Sequence, residues 1–101
     1  MKSISELSKL EGRVYVYLSS PEICKRFFEC AEAEGFTFGD GIKPSQKQTA
    51  NISALNKNGT MNYVGMNGRI AYGSGAKTVG DKMIIRIDYE QYISNENQKI
   101  N

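Results

Sequence analysis

The segment from Arg13 to Gly35 constrains the fold more than any other. Arg13-Val14-Tyr15-Val16-Tyr17-Leu18 alternates without a break, which puts Val14, Val16 and Leu18 on one face of a strand and Arg13, Tyr15 and Tyr17 on the other. Ser19 or Ser20 then offers a side-chain acceptor to a helix N-terminus. Pro21 takes the first turn, where its missing N–H does no harm, and Glu22 sits at the positive end of the helix dipole. Gly35 supplies the stop. Between these signals Ile23, Phe27, Cys30, Ala31 and Glu34 fall near one stripe, widened by Cys24 and Phe28, while Glu22, Lys25, Arg26, Glu29 and Glu32 lie mostly elsewhere. A helix from Pro21 to Glu34 is therefore expected to cover one face of a sheet that contains residues 13–18.

The flanking sequence extends this plan. Ser3 and Glu6 stand at capping-box spacing and predict a short N-terminal helix from about Ile4 to Leu10, stopped near Gly12. From Gly35 to Pro44, three glycines and a proline surround two aromatics, which reads as a loop after a short strand at Phe36 to Phe38. From Asn51 onward the pattern is short strands and tight turns: residues 52–55, a turn at Asn56-Lys57-Asn58-Gly59, then residues 61–66. Asn67-Gly68, the strongest short-range hairpin signal, leads into a strand from Arg69 to Tyr72. Gly73 through Asp81 reads as a flexible loop, Lys82 to Asp88 as the last strand, and Tyr89 to Ile93 as a helical turn.

The length of 101 residues suits one core. The expected fold is a single α+β domain over residues 1–93: a largely antiparallel sheet of four to five strands, one main helix (Pro21 to Glu34) packed on one face, and a short N-terminal helix. Residues 94–101 are expected to be a polar flexible tail. The second sheet face, carrying Tyr15 and Tyr17 with Tyr63 or Tyr72, is expected to be only partly covered and open to a partner.

The chain has no histidine, which closes Ser-His-Asp and Cys-His catalysis, histidine metal sites and histidine pH switches. Cys24 and Cys30 lie six helical steps apart, about 9 Å along the axis and on different faces, so they read as reduced packing residues. Gly73-Ser74-Gly75-Ala76-Lys77-Thr78 resembles a phosphate loop but lacks the glycine before Lys-Thr and the helix after it. Asp40, Asp81, Asp88 and Glu90 include no pair placed by sequence for acid and base work, and Asp40 between glycines suits an Asx turn. The expectation is a non-enzymatic protein with no cofactor and no metal. With no apolar signal region at the N-terminus and no run of about 18 apolar residues, a cytoplasmic location without membrane contact is expected.

Charge placement is more informative than the net value of +2. Residues 1–35 carry five basic and six acidic side chains, residues 36–87 seven and two, and residues 88–101 one and three. The basic middle places lysines and arginines mostly at turns, beside aromatics that can stack on bases. Lysines outnumber arginines five to two there, which favours solvated turns over base reading. Tyr15, Tyr17, Phe38, Lys43, Lys57, Arg69, Tyr72 and Lys77 are the candidate partner-binding residues.

The segments EGFTFGDGIKP at 34–44, MNYVG at 61–65 and RIDYEQYI at 86–93 resemble small proteins encoded by phages and conjugative elements of Gram-positive bacteria. That resemblance covers roughly residues 13–93 and rests on structural glycines. It implies a setting in which small chains bind a host protein and block it, anti-CRISPR proteins being the best-known group. The expectation is a protein that occludes a host defence nuclease or its nucleic-acid complex. The alternative is a small nucleic-acid-binding module using the basic, aromatic surface. Homodimerisation through an exposed sheet edge or face is a further expectation.

Overall fold

A computed structural model describes residues 3–98 as α1 (Ile4–Ser8), β1 (Arg13–Tyr17), α2 (Pro21–Ala33), β2 (Thr37–Phe38), a 3-10 turn at Pro44–Gln46, β3 (Ile52–Leu55), β4 (Thr60–Tyr63), α3 (Met66–Gly73), β5 (Thr78–Val79), β6 (Lys82–Asp88) and α4 (Tyr89–Gln98). The local signals around α2 act as written in the sequence. Ser20 Oγ accepts the Ile23 N–H at 3.2 Å, Pro21 opens the first turn, and Gly35 turns the chain at φ +90° so that the Phe36 N–H reaches the Ala31 carbonyl at 2.9 Å. Ser3 likewise caps α1 by accepting the Glu6 N–H at 3.2 Å. No helix among the described residues is long and apolar enough to cross a membrane.

The six strands form one mixed sheet in the order β2-β4-β3-β1-β6-β5. β1 pairs antiparallel with β3, with Val14 opposite Leu55 and Tyr17 opposite Ile52, but parallel with β6, with Val14 beside Ile85 and Val16 beside Ile87. β4 is antiparallel to β3, and β2 is parallel to β4. The directions therefore make β1, β2, β4 and β6 all parallel to one another. Parallel strands need crossover connections, usually through a helix, where antiparallel neighbours need only a turn. α2 crosses from central β1 to edge β2, and α3, followed by edge strand β5, carries the chain the opposite way, from β4 to β6. Crossovers of one hand that run in opposite directions must lie on opposite faces of the sheet. α2 and α3 do so.

This corrects the expected antiparallel sheet of four to five strands with one covered face. Asn67-Gly68 is the first turn of α3, and Arg69 to Tyr72 is helix instead of a hairpin strand. The hairpin signal is local, whereas α3 is demanded by the non-local parallel pairing of β6 with β1. The helical turn expected at Tyr89 to Ile93 is the start of α4, which continues through Gln98 into the stretch read as a tail; residues 99–101 lie outside the described residues.

On the α2 face, Val14, Val16, Leu18, Leu55 and Met61 pack beneath Phe27, Phe28 and Ala31, joined by Ile4 and Leu7 of α1 and Tyr89 of α4. The Phe27 and Tyr89 rings meet edge to face at 5.0 Å. α1 is clasped to the end of α2 by Glu34, whose carboxylate accepts the Ile4 N–H at 2.8 Å, the Ser5 N–H at 2.9 Å and the Ser5 hydroxyl at 2.7 Å. It thereby satisfies amides at the positive end of α1 that have no partner within the helix.

Partial burial pushes the Glu34 pKa up, but the donors from Ile4 and Ser5 outweigh it and hold the group below its usual 4.5. A carboxyl whose native pKa is depressed adds stability at pH above its unfolded value and loses it as pH falls through the native value. Glu34→Gln is expected to be less stable than the parent by about 1 kcal/mol near neutral pH, and that gap should close as pH drops below 4.5. Paired urea titrations across that range measure it.

Candidate binding surface

The second face of the sheet is closed by α3. Tyr15, Ile52, Ala54, Val64 and Ile84 form its floor, and Ala71, Tyr72, Ala76 and Val79 pack over them with Tyr17. Close approach of the helix depends on Gly68. A Cβ there would lie 2.7 Å from Tyr15 Oη and 2.7 Å from Val64 Cγ1, so only glycine lets the α3 backbone rest on the Tyr15 side chain. Tyr72 follows one turn later and tilts against Tyr15 at 6.4 Å between ring centroids.

The C-terminal end of α3 is held by Arg86 of β6. Its Nη2 donates to the carbonyls of Ala71 at 3.1 Å, Tyr72 at 3.1 Å and Ala76 at 2.8 Å, and the guanidinium lies 5.2 Å from the Tyr72 ring centroid. The Ala71 and Tyr72 carbonyls also accept the Ala76 and Gly75 N–H groups, so the planar fork adds charge-assisted bonds to carbonyls at the negative end of the helix dipole. Burial raises the Tyr72 hydroxyl's pKa; the Arg86 charge opposes that shift and Asp88 adds to it.

With Gly68, Ala71 and Tyr72 turned inward, the outer side of α3 is left to solvent. Met66 and Ile70, one turn apart, are 77% and 62% exposed. Arg69 on α3 and Lys77 just beyond it are exposed, and among the described residues neither pairs with a carboxylate. The result is a short apolar stripe with basic flanks on a helix whose opposite side is fixed.

The residues singled out by sequence divide among several places. Tyr17, Arg69, Tyr72 and Lys77 gather on and around α3. Tyr15 and Phe38, expected on a partner surface, are core residues, 5% and 4% exposed. Tyr15 lies under Gly68, and Phe38 is packed edge to face on Phe28 at 5.7 Å, with Lys47 Nζ 5.0 Å from its ring centroid. Lys57 is exposed on the turn before β4, donating to the Lys9 and Leu10 carbonyls, while Lys43 sits on the α2 side near Glu32. Met66 and Ile70 escape a reading in which residues 61–66 and 69–72 are strands. Their spacing of four, offset from Gly68, Ala71 and Tyr72, is the helical signal that marks them.

Other candidate groups are taken up by structure. Asp40 makes the expected Asx turn, accepting the Ile42 N–H at 3.0 Å, while Lys47 Nζ donates to its other oxygen at 2.7 Å. Those bonds, Lys47 first, lower its pKa. Cys24 and Cys30 are free thiols; burial pushes the Cys24 thiol up, away from the reactive thiolate, against the weak bond from the Ala50 N–H. Among the described residues no three His, Cys, Asp or Glu side chains converge as a metal site requires.

Gly68→Ala is expected to cost about 1–3 kcal/mol by overpacking, a melting shift of roughly 4–8 °C per kcal/mol. Gly73→Ala, on the same helix with nothing within 4 Å of a new Cβ, is expected to gain about 0.5–1 kcal/mol. Thermal melts of the pair separate close approach from helix propensity. Arg86→Met should lose about 1–2 kcal/mol, and Arg86→Lys should recover little of it, because one ammonium cannot span the same carbonyls; urea titration reads both. No protein-family model, curated protein or solved structure matches this chain.

Proposed function

We propose that this protein is a non-catalytic binding protein that docks the outer stripe of α3 onto a partner protein. The observation that carries this reading is the exposure of Met66 and Ile70 on a helix already immobilised by Gly68, Tyr72 and Arg86. Burying two such side chains contributes about 1.5–3 kcal/mol each, and a preformed helix loses little further entropy on docking. The free charges of Arg69 and Lys77 define the partner's chemistry: an apolar recess edged by carboxylates.

The resemblance to mobile-element proteins supports a host defence nuclease as that partner. The nucleic-acid alternative is less well supported, because Phe38, an aromatic of the basic middle, lies in the core, as does Tyr15, another candidate partner-binding ring. The test is DNA cleavage by purified, guide-loaded nucleases from Gram-positive hosts. The parent protein is expected to inhibit near stoichiometry, and Met66→Asp with Ile70→Asp to weaken inhibition about a hundredfold without lowering the melting temperature. No inhibition by the parent, or equal inhibition by the double variant, contradicts the proposal. So does a dimer in light scattering that the double variant dissociates, since the stripe would then serve a second copy.

A further inference from the structure

An open cleft of about 500 Å³ lies where the start of β1, the end of β3 and the turn between β5 and β6 meet. Arg13, Lys57 and Lys82 line it, with Asn56, Gly80 and an edge of Tyr15, and no carboxylate is among its lining residues. Asp81 in the same turn and Glu11 before β1 stand outside the lining. Among the described residues none of the three cations forms an ion pair.

Neutral oxygens hold two of these cations in place. Arg13 Nη1 donates to Asn56 Oδ1 at 2.6 Å, and its guanidinium lies 5.8 Å from the Tyr15 ring centroid. Asn56 is oriented in turn by donating Nδ2 to Asn62 Oδ1 at 2.6 Å and to Thr60 Oγ1 at 3.0 Å. Lys57 Nζ donates to the Lys9 and Leu10 carbonyls at 3.3 and 2.5 Å. Amide and carbonyl oxygens position a cation without cancelling its charge, so the cleft keeps an uncompensated positive field. Lys82 is paired with Val79 through its backbone, but its ammonium makes no hydrogen bond among the described residues and is free to close on a ligand.

We infer that this cleft binds a ligand carrying adjacent phosphate groups, whether a free nucleotide or the backbone of a nucleic-acid strand. Three cations around a space within the size range of ligand sites suit several phosphate oxygens at once, and preset donors lower the entropy lost on binding. This inference is independent of docking through α3.

Calorimetric titration with inorganic tripolyphosphate and, separately, with a ten-nucleotide oligo-dT tests it. One-site binding of at least one probe is expected, weakening as salt rises from 50 to about 200 mM. Tighter binding of tripolyphosphate points to a free nucleotide as source, and tighter binding of oligo-dT to a strand. Lys82→Ala should weaken the bound probe about tenfold and cannot act by removing a structural bond, whereas Lys25→Ala, exposed on α2 and outside the cleft, should stay within about twofold. The Met66→Asp and Ile70→Asp double variant should bind phosphate as the parent does, which separates failure here from failure of the α3 reading. No saturable binding of either probe, or equal losses in Lys82→Ala and Lys25→Ala, would overturn the inference.

Discussion

β1 has no solvent face, and the rest of the architecture follows from that. Its alternation of Val14 and Val16 with Tyr15 and Tyr17 supplies two apolar faces, and each must be covered. Because β1 runs parallel to both β2 and β6, at opposite sides of the sheet, the chain has to cross it twice in opposite directions. A common hand for the two crossovers places α2 over the valines and α3 over the tyrosines. α3 is short, so it can cover Tyr15 only by near contact of backbone with ring. Gly68 permits that contact, and Arg86 fixes the end of the helix that a single turn of packing would leave loose.

The sequence was most legible where physics is local. Ser20, Pro21 and Gly35 mark α2 to within a residue at its start and its stop, because caps and φ limits act over four or five positions. The alternation at 13–17 marks β1 for the same reason. What it does not show is which strand lies beside β1. Parallel pairing of Val14 with Ile85 joins residues far apart in the chain and leaves no signature at either. Without that pairing, Asn67-Gly68 is a good hairpin turn. With it, the same glycine is needed for close packing inside a helix. The misplacement of Tyr15 follows from the same gap, since a ring on the second face is exposed only if nothing crosses that face. Phe38 was misplaced for a simpler reason: β2 is two residues long, too short for alternation to tell inside from outside.

Charge has a division of labour that composition conceals. Arg86 is spent on the carbonyls at the end of α3, and Lys47 on Asp40 and the Phe38 ring. Arg69 and Lys77 beside α3, and Arg13, Lys57 and Lys82 around the cleft, have no carboxylate partner among the described residues. Arg69, Lys77, Arg13 and Lys82 belong to the α3 side of the sheet, which gives that side a positive, partly apolar character, while Lys57 reaches the cleft from the turn after β3. A nuclease carrying its nucleic acid would present carboxylates, apolar recesses and phosphates together, so the two proposed contacts are compatible with one partner without requiring it.

Proton NMR reads the contact by which α3 rests on Tyr15 through Gly68. Strong nuclear Overhauser contacts are expected between the Gly68 α-protons and the Tyr15 ring, with the glycine resonances displaced by the ring current. A Gly68 at random-coil shift with no contact to Tyr15, or a Gly68 showing the cross-strand contacts of a hairpin turn, would contradict it.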